Sequence, residues 1–280
     1  MSEVNFRSAF VEFEGTRIHY QEAGEGPALI MLQGSGPGAS GWSNYSRNAP
    51  FFARSHRVIV PDLAGWGKSD MRPVGVSIPG WWASSILGLM DSLSITQADI
   101  IGNSLGGMIA LKMALTAPDR VGRLVLMGPA GGFPTLGQWP TPAIRTLATA
   151  YEGDGITAEK VKSFISESLF DQSAITDELV KGRLEAAMDP RIIAQPPMRL
   201  ESGQPFEELW RDPGLATLPH ETLIIWGRED RVVPLDTGMI YLKRIPNAQL
   251  NTFPKCGHWA QWEWADRFNR VVSSFLSEAR

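Results

Sequence analysis

The chain has 280 residues, 43% hydrophobic and 20% charged, with 26 Lys and Arg against 30 Asp and Glu for a net charge of −4. That composition is globular rather than disordered, and the mild acidity without a basic stripe argues against nucleic acid or an anionic membrane surface as partner. The single cysteine, Cys256, excludes an intrachain disulfide or a cysteine-based zinc cluster, and four histidines leave little for any other metal site. Glu3, Arg7, Glu12, Glu14 and Arg17 interrupt the N-terminal stretch, which reads as lacking a signal-peptide core. Apolar runs such as Ala28–Leu32 fall far short of the ~20 residues a membrane span needs, so the expectation is a cytoplasmic protein. Ten tryptophans against four tyrosines imply a broad apolar surface to line, in the core or in a pocket.

In chain order, residues 6–13 alternate as a strand, and 16–21 read as its partner across Glu14-Gly15. Residues 28–32 and 57–60 are short runs apolar on both faces, as expected of central parallel strands. Helical spacing follows at 81–93, then a strand at 98–101, an apolar helix at 105–117 stopped by Pro118, and a sixth strand at 124–127. This alternation predicts βαβ units and a mostly parallel sheet. The rhythm then breaks into helical segments at 142–151, 158–169 and 177–188, and resumes with strands at 222–226 and 249–253 and a last helix at 262–276. The division expected is therefore a core of residues 1–133 and 211–280, with a helical cap of residues 134–210 inserted after the sixth strand. No internal repeat or low-complexity segment is evident.

Gly102-Asn103-Ser104-Leu105-Gly106 is a G-x-S-x-G between a strand and a helix, the context a nucleophile elbow requires. A serine hydroxyl needs a base to take its proton and an acid to orient that base, in the order Ser, acid, His on such a frame. Of the two histidines after Ser104, His220 precedes a strand, at the wrong end of the sheet, whereas His258 follows the last strand, so His258 is the base. The loop after strand 222–226 offers Asp230 as the acid, with Glu229 and Asp236 as alternatives. Oxyanion donors would be the Leu105 N–H and the Ser35 N–H, the latter in the glycine-rich loop Gln33-Gly34-Ser35-Gly36-Pro37-Gly38. Gly34-x-Gly36-x-x-Ala39 also satisfies a dinucleotide fingerprint, but Gly38 to Gly41 make a poor helix opening; Gly67-Lys68-Ser69 lacks the first glycine of a P-loop, because position 62 is Asp62. Cys256 reads as a small buried residue rather than a nucleophile.

These motifs resemble the α/β-hydrolase superfamily across the whole chain, and within it the meta-cleavage product hydrolases, the carbon–carbon bond hydrolases of bacterial aromatic degradation. The resemblance rests on the run Gly34 to Asn44, on Gly102 to Gly107, on Met127-Gly128-Pro129 with Gly131-Gly132, on Trp226 to Asp230 and on Cys256 to Glu263. In the cap, Phe170 to Ser173 and Gly182-Arg183 add to it. It implies an α/β-hydrolase fold, a Ser104, Asp230, His258 triad, no cofactor and no metal, and a homo-oligomer, a dimer or larger. It further implies that Asn44, Asn103, Arg183 and Trp259 hold the dienoate end of the substrate, with Gly34 and Gly36 letting the backbone come against it. The departure is Gln33, where the family usually has histidine. On spacing alone Arg183 reads as a solvated helix-face charge; the resemblance makes it a bidentate clamp for a carboxylate, with Asn44 and Asn103 adding neutral donors.

The expected activity is cleavage of the C–C bond of a 2-hydroxy-6-oxohexa-2,4-dienoate with an apolar or aryl substituent, giving 2-hydroxypenta-2,4-dienoate and a carboxylic acid. A carboxylesterase or lactonase on the same triad is the alternative, followed by a ligand receptor with a vestigial triad. Haloalkane dehalogenases and epoxide hydrolases need aspartate where Ser104 stands. Trp139, Ile144, Phe164 and Met188 are candidates either for an aryl pocket or for the cap's own core.

Overall fold

A computed structural model of the chain describes residues 4–73, 75–199 and 207–278. Eight strands form one sheet: β1 (Arg7–Phe13), β2 (Thr16–Ala23), β3 (Ala28–Leu32), β4 (Arg57–Pro61), β5 (Ala98–Asn103), β6 (Val121–Met127), β7 (Thr222–Gly227) and β8 (Ala248–Phe253). Their spatial order is β1-β2-β4-β3-β5-β6-β7-β8. Only the β1–β2 and β2–β4 pairs are antiparallel. The helices are α1 (Gly41–Tyr45), α2 (Ala49–Phe52), α3 (Gly80–Ser92), α4 (Leu105–Thr116), α5 (Pro142–Ala148), α6 (Ala158–Ser168), α7 (Asp177–Ala187), α8 (Pro190–Ala194), α9 (Asp236–Arg244), α10 (Ala260–Glu263) and α11 (Ala265–Ser277). None of them is long and apolar enough to cross a membrane.

The two-residue period of the central strands sorts their side chains onto two cores. Ile30 and Leu32 of β3 face one way, into a cluster with Ile86 and Leu89 of α3, Met108 and Ile109 of α4, and Tyr241 of α9. Leu29 and Met31 face the other way, among Tyr45 of α1, Phe52 of α2, and Phe268 and Val272 of α11. Strands covered on both sides have no polar face, which is why their sequences read as unbroken apolar runs. Burying the tryptophans follows the same division, with Trp82 and Trp226 almost wholly enclosed. The cap segments α5 to α8 fall between β6 and β7, and have a small apolar cluster of their own built on Val161, Phe164, Ile165, Leu169 and Val180.

Several elements depart from the expectation. The Gly38 to Gly41 stretch does open a helix: Ser40 Oγ accepts from the Ser43 N–H at 3.0 Å while Ser43 Oγ accepts from the Ser40 N–H at 2.9 Å, a capping box with serine in place of the usual Glu or Gln. The C-terminal helix is two, α10 and α11, divided at Trp264. Helices α2, α8 and α9 were not anticipated, because two are only one turn long and α9 starts on an uncapped Leu235.

The antiparallel edge is fastened by a buried relay. Asp62, at the end of β4, accepts from the Gly41 N–H at 2.8 Å and the Lys68 N–H at 2.9 Å, and pairs with His19 Nδ1 at 2.8 Å. His19 Nε2 in turn meets the exposed Ser8 hydroxyl at 2.7 Å. One carboxylate thus holds α1, the 62–69 loop and the β1–β2 hairpin together. Asp62→Ala leaves several buried donors unsatisfied, each costing ~1–3 kcal/mol, so a net loss of about 2–4 kcal/mol is expected in urea unfolding, with an unchanged slope.

Candidate active site

The carboxyl ends of β3, β5, β6, β7 and β8 all deliver loops to one edge of the sheet, the place where open α/β sheets bind ligands. Ser104 follows β5 directly, with φ 53° and ψ −112°, a backbone conformation that a non-glycine residue adopts only when its surroundings enforce it. The enforcement is visible. Ser104 N–H donates to the Met127 carbonyl at 2.8 Å, and its own carbonyl accepts from Met108 and Ala130, both at 3.0 Å. A Cβ at Gly106 would strike the Leu32 carbonyl oxygen, so only glycine lets α4 begin this close to β3.

His258 and Asp230 come together as expected. His258 Nδ1 lies 2.7 Å from Asp230 Oδ2, and Asp230 Oδ1 accepts from the Val232 and Val233 N–H groups, both at 2.9 Å. Three bonds fix the carboxylate and with it the imidazole. His258 Nε2 is buried without a hydrogen-bond partner and lines the same small cavity as Ser104. Catalytic hydrogen bonds are often long in the empty enzyme and tighten on binding. The competing acids have other work: Glu229 pairs with Arg228 at 2.7 Å, and Asp236 accepts from the Leu136 N–H at 2.7 Å. His220 Nε2 bonds the Pro118 carbonyl at 3.0 Å, away from Ser104. Cys256 is fully buried, which pushes its thiol pKa up and leaves it inert.

The cavity that holds Ser104 and His258 is also lined by Gly34, Ser35, Gly36, Asn44, Asn103, Arg183 and Trp259. Every residue expected at the dienoate end is therefore gathered there. Leu105 and Ser35 line a neighbouring apolar chamber of about 290 Å³, which also contains Ser104. The Leu105 N–H belongs to the first turn of α4, where helix N–H groups have no intrahelical acceptor.

The neutral-donor assignment needs correcting at Asn103, whose two amide hydrogens are both spent on backbone carbonyls, and only in part at Asn44, which spends one of its two. Asn44 Nδ2 donates to the Ser40 carbonyl at 3.1 Å, and its Oδ1 accepts from the Gly34 N–H at 3.3 Å, which braces the oxyanion loop. Asn103 Nδ2 donates to the Met127 and His258 carbonyls, both at 3.3 Å, and its buried Oδ1 is left unpartnered as an acceptor. Among the cap candidates, Trp139 and Ile144 line the apolar chamber and Phe164 lines the smaller cavity, but Met188 is 52% exposed and lines neither. Gln33 is fully buried, and both polar atoms of its side chain lack partners.

Arg183 sets the electrostatics. Only 6% exposed, it has no ion pair or hydrogen bond among the described residues; its guanidinium lies 5.0 Å from the centre of the Trp259 ring. Desolvation pushes its pKa down to about 10, still a full cation at neutral pH. Gly38, at φ 61°, makes the approach possible, since any Cβ there would collide with the Arg183 carbonyl.

A family model described as the alpha/beta hydrolase fold matches residues 27–265. A 2-hydroxy-6-oxo-6-phenylhexa-2,4-dienoate hydrolase of Burkholderia cepacia is 44% identical over 269 residues, 93% of this chain and 91% of its own. A 2-hydroxy-6-oxononadienedioate/2-hydroxy-6-oxononatrienedioate hydrolase of Comamonas testosteroni is also 44% identical, over 265 residues, 93% of this chain and 91% of its own. Among solved structures, a meta-cleavage product hydrolase of Pseudomonas fluorescens superposes with a TM-score of 0.84 at 37% identity, covering 95% of this chain and 96% of that one. The chain is an α/β hydrolase of the meta-cleavage product hydrolase group.

In this α/β hydrolase one residue of the site region carried no assigned role in the sequence. Glu263, in α10, accepts from the Phe170 and Asp171 N–H groups of the cap at 2.8 and 3.0 Å and from the Gly257 N–H at 2.6 Å. It joins the cap to the loop bearing His258, whose own N–H donates to the Ser168 carbonyl at 2.8 Å. Nothing in the run Trp259 to Glu263 signals this, because all three partners are backbone groups and the two in the cap are distant in sequence. Glu263→Gln keeps one carbonyl acceptor and must abandon either the cap or Gly257. A charge-assisted hydrogen bond is worth ~1.5–3 kcal/mol, so kcat on an acyl substrate is expected to fall about tenfold with KM little changed, measured well below the melting temperature.

Proposed function

We infer that this protein hydrolyses the C–C bond of a 2-hydroxy-6-oxohexa-2,4-dienoate to 2-hydroxypenta-2,4-dienoate and a carboxylic acid. The observation that carries the reading is the buried, unpaired guanidinium of Arg183 sharing one small cavity with Ser104 and His258. A cation taken out of water without a counter-ion is costly, and an anionic substrate supplies the missing partner. An ester has no use for it.

The substrate carboxylate lies against Arg183, its planar fork matching two carboxylate oxygens. The neighbouring 2-hydroxyl donates to the buried, unpartnered Oδ1 of Asn103. This places the far ketone by Ser104 and the tail in the apolar chamber. His258 helps move the enol proton to the dienoate carbon next to the ketone, turning the bond to be broken into one between a ketone carbon and an sp³ carbon.

Ser104 Oγ then attacks the ketone as His258 Nε2 takes its proton, while Asp230 stabilises the imidazolium. The Leu105 and Ser35 N–H groups receive the oxyanion. Collapse breaks the C–C bond, its electron pair passing into the conjugated system, which is protonated and leaves as the dienoate. Water, deprotonated by His258, releases the acid from Ser104. The elbow favours this covalent route.

Two variants test the reading. Ser104→Ala is expected to abolish turnover while retaining dienoate binding, seen as a spectral change of the bound chromophore. Arg183→Ala removes one partner of a buried charged pair, a loss of about 3–5 kcal/mol, so kcat/KM on the dienoate should fall at least about a hundredfold. A small neutral ester should lose little, and Arg183→Lys should recover only part, since an ammonium lacks the planar fork. Small and equal losses on both substrates would show that Arg183 does not hold the substrate carboxylate, and would remove the observation that carries this reading.

A further inference from the structure

We propose that the tail beyond the scissile ketone is neutral and apolar, and that a substrate with a carboxylate on that tail is rejected. The inference rests on the reading of the site given above and chooses between two substrate kinds named for relatives of equal identity, one with a phenyl tail and one a dioate. In a 2-hydroxy-6-oxononadienedioate the second carboxylate stands two methylenes beyond the ketone, so it enters whatever space takes the tail.

That space is the chamber of about 290 Å³ lined by Phe133, Trp139, Ile144, Leu147, Met198 and Val233. An apolar cavity of ~150 Å³ already takes up benzene, so a phenyl ring with room for substituents fits here. No lysine, arginine or histidine lines it among the described residues, and residues 200–206, outside the described set, contain none in their sequence. The one charged side chain on the lining is the carboxylate of Glu208, exposed and paired with Arg211 at 3.0 Å. Arg199 lines the adjoining cavity, shared with Glu152, and not this one. A tail carboxylate would give up its water for an apolar wall and a like charge. A phenyl or alkyl group gains from the same wall. The contrast with the other end of the substrate is built in: Arg183 gives the dienoate carboxylate a buried partner, and the tail chamber offers none.

The test compares kcat/KM for the 6-phenyl dienoate and for 2-hydroxy-6-oxononadienedioate at one pH and salt, on wild type and on Phe133→Arg. Phe133 is 40% exposed, so a guanidinium there can reach both chamber and solvent. Wild type is expected to prefer the phenyl substrate by at least about a hundredfold, since each ~1.4 kcal/mol of unmatched desolvation is tenfold. Phe133→Arg is expected to narrow that ratio by at least about tenfold, by supplying a partner for the tail anion. Equal or better turnover of the dioate by wild type would overturn the inference and leave the C–C hydrolase reading intact. An unchanged ratio in Phe133→Arg would show that the tail does not occupy this chamber. Cleavage of neither substrate would overturn both readings.

Discussion

Removing a guanidinium from water costs several kcal/mol when no carboxylate meets it, and Arg183 is held in that condition beside the nucleophile. The geometry around it only makes sense as support for that placement. Gly38 gives way so that the Arg183 backbone can rest on the loop after β3, and among the described residues the Trp259 ring is the attractive surface the cation meets. Trp259 follows His258 directly and is itself packed into the cap's apolar cluster. Affinity for an anion and orientation of the base are thus parts of one arrangement.

The cap joins the core most firmly on the side of the histidine. The end of α6 meets the His258 N–H through the Ser168 carbonyl, Arg231 reaches the Leu169 carbonyl at 3.0 Å and Glu167 at 3.2 Å, and Glu263 takes the next two N–H groups. Arg231 adjoins Asp230, so the cap touches the loops of both the base and the acid. A cap fastened this way cannot shift at α6 without disturbing the imidazole, and α5, which lines the neighbouring chamber through Ile144 and Leu147, is tied to the loop of the acid at its start, where Thr141 Oγ1 donates to the Val232 carbonyl at 2.9 Å.

Much of this was legible in the sequence, and for identifiable reasons. Strands such as β3 announce themselves because both faces are covered, and the elbow is a local structure whose glycines are dictated within a few residues. The triad could be read from order along the chain, since the sheet direction decides which histidine reaches the active edge. What stayed hidden depends on distant partners. Arg183 looks like any charge on a polar helix until the cap is docked. Asn44 and Asn103 show their chemistry in the sequence but not the direction of their amides, which the Ser40, Met127 and His258 carbonyls and the Gly34 N–H decide. Met188 and Phe164 have the same apolar character; only the docking of α6 and α7 leaves one in solvent and brings the other to the cavity. The capping box at Ser40 escaped because serine stands in for the longer side chain that usually marks it.

The molecule also shows why a hydrogen-bonded Ser, His and Asp do not make an active site. Ser8, His19 and Asp62 form a complete relay, with 2.7 and 2.8 Å between successive partners, while His258 Nε2 has no partner at all. A search by distance would select the wrong serine. Ser8 lies exposed on the edge strand, and Asp62 spends its remaining lone pairs on backbone donors that hold loops together, so that relay is saturated. At Ser104 the reverse holds. The acid is saturated, the base has a free nitrogen, the serine backbone is strained, and Ser104 stands between a cavity lined by the guanidinium of Arg183 and a chamber lined by Leu105 at the start of α4. Catalysis needs unsatisfied groups whose missing partners together have the shape and charge of one substrate. The relay at the edge, with nothing left to offer, is built for stability, and the one at the carboxyl end of the sheet keeps the unpaired His258 nitrogen that proton transfer requires.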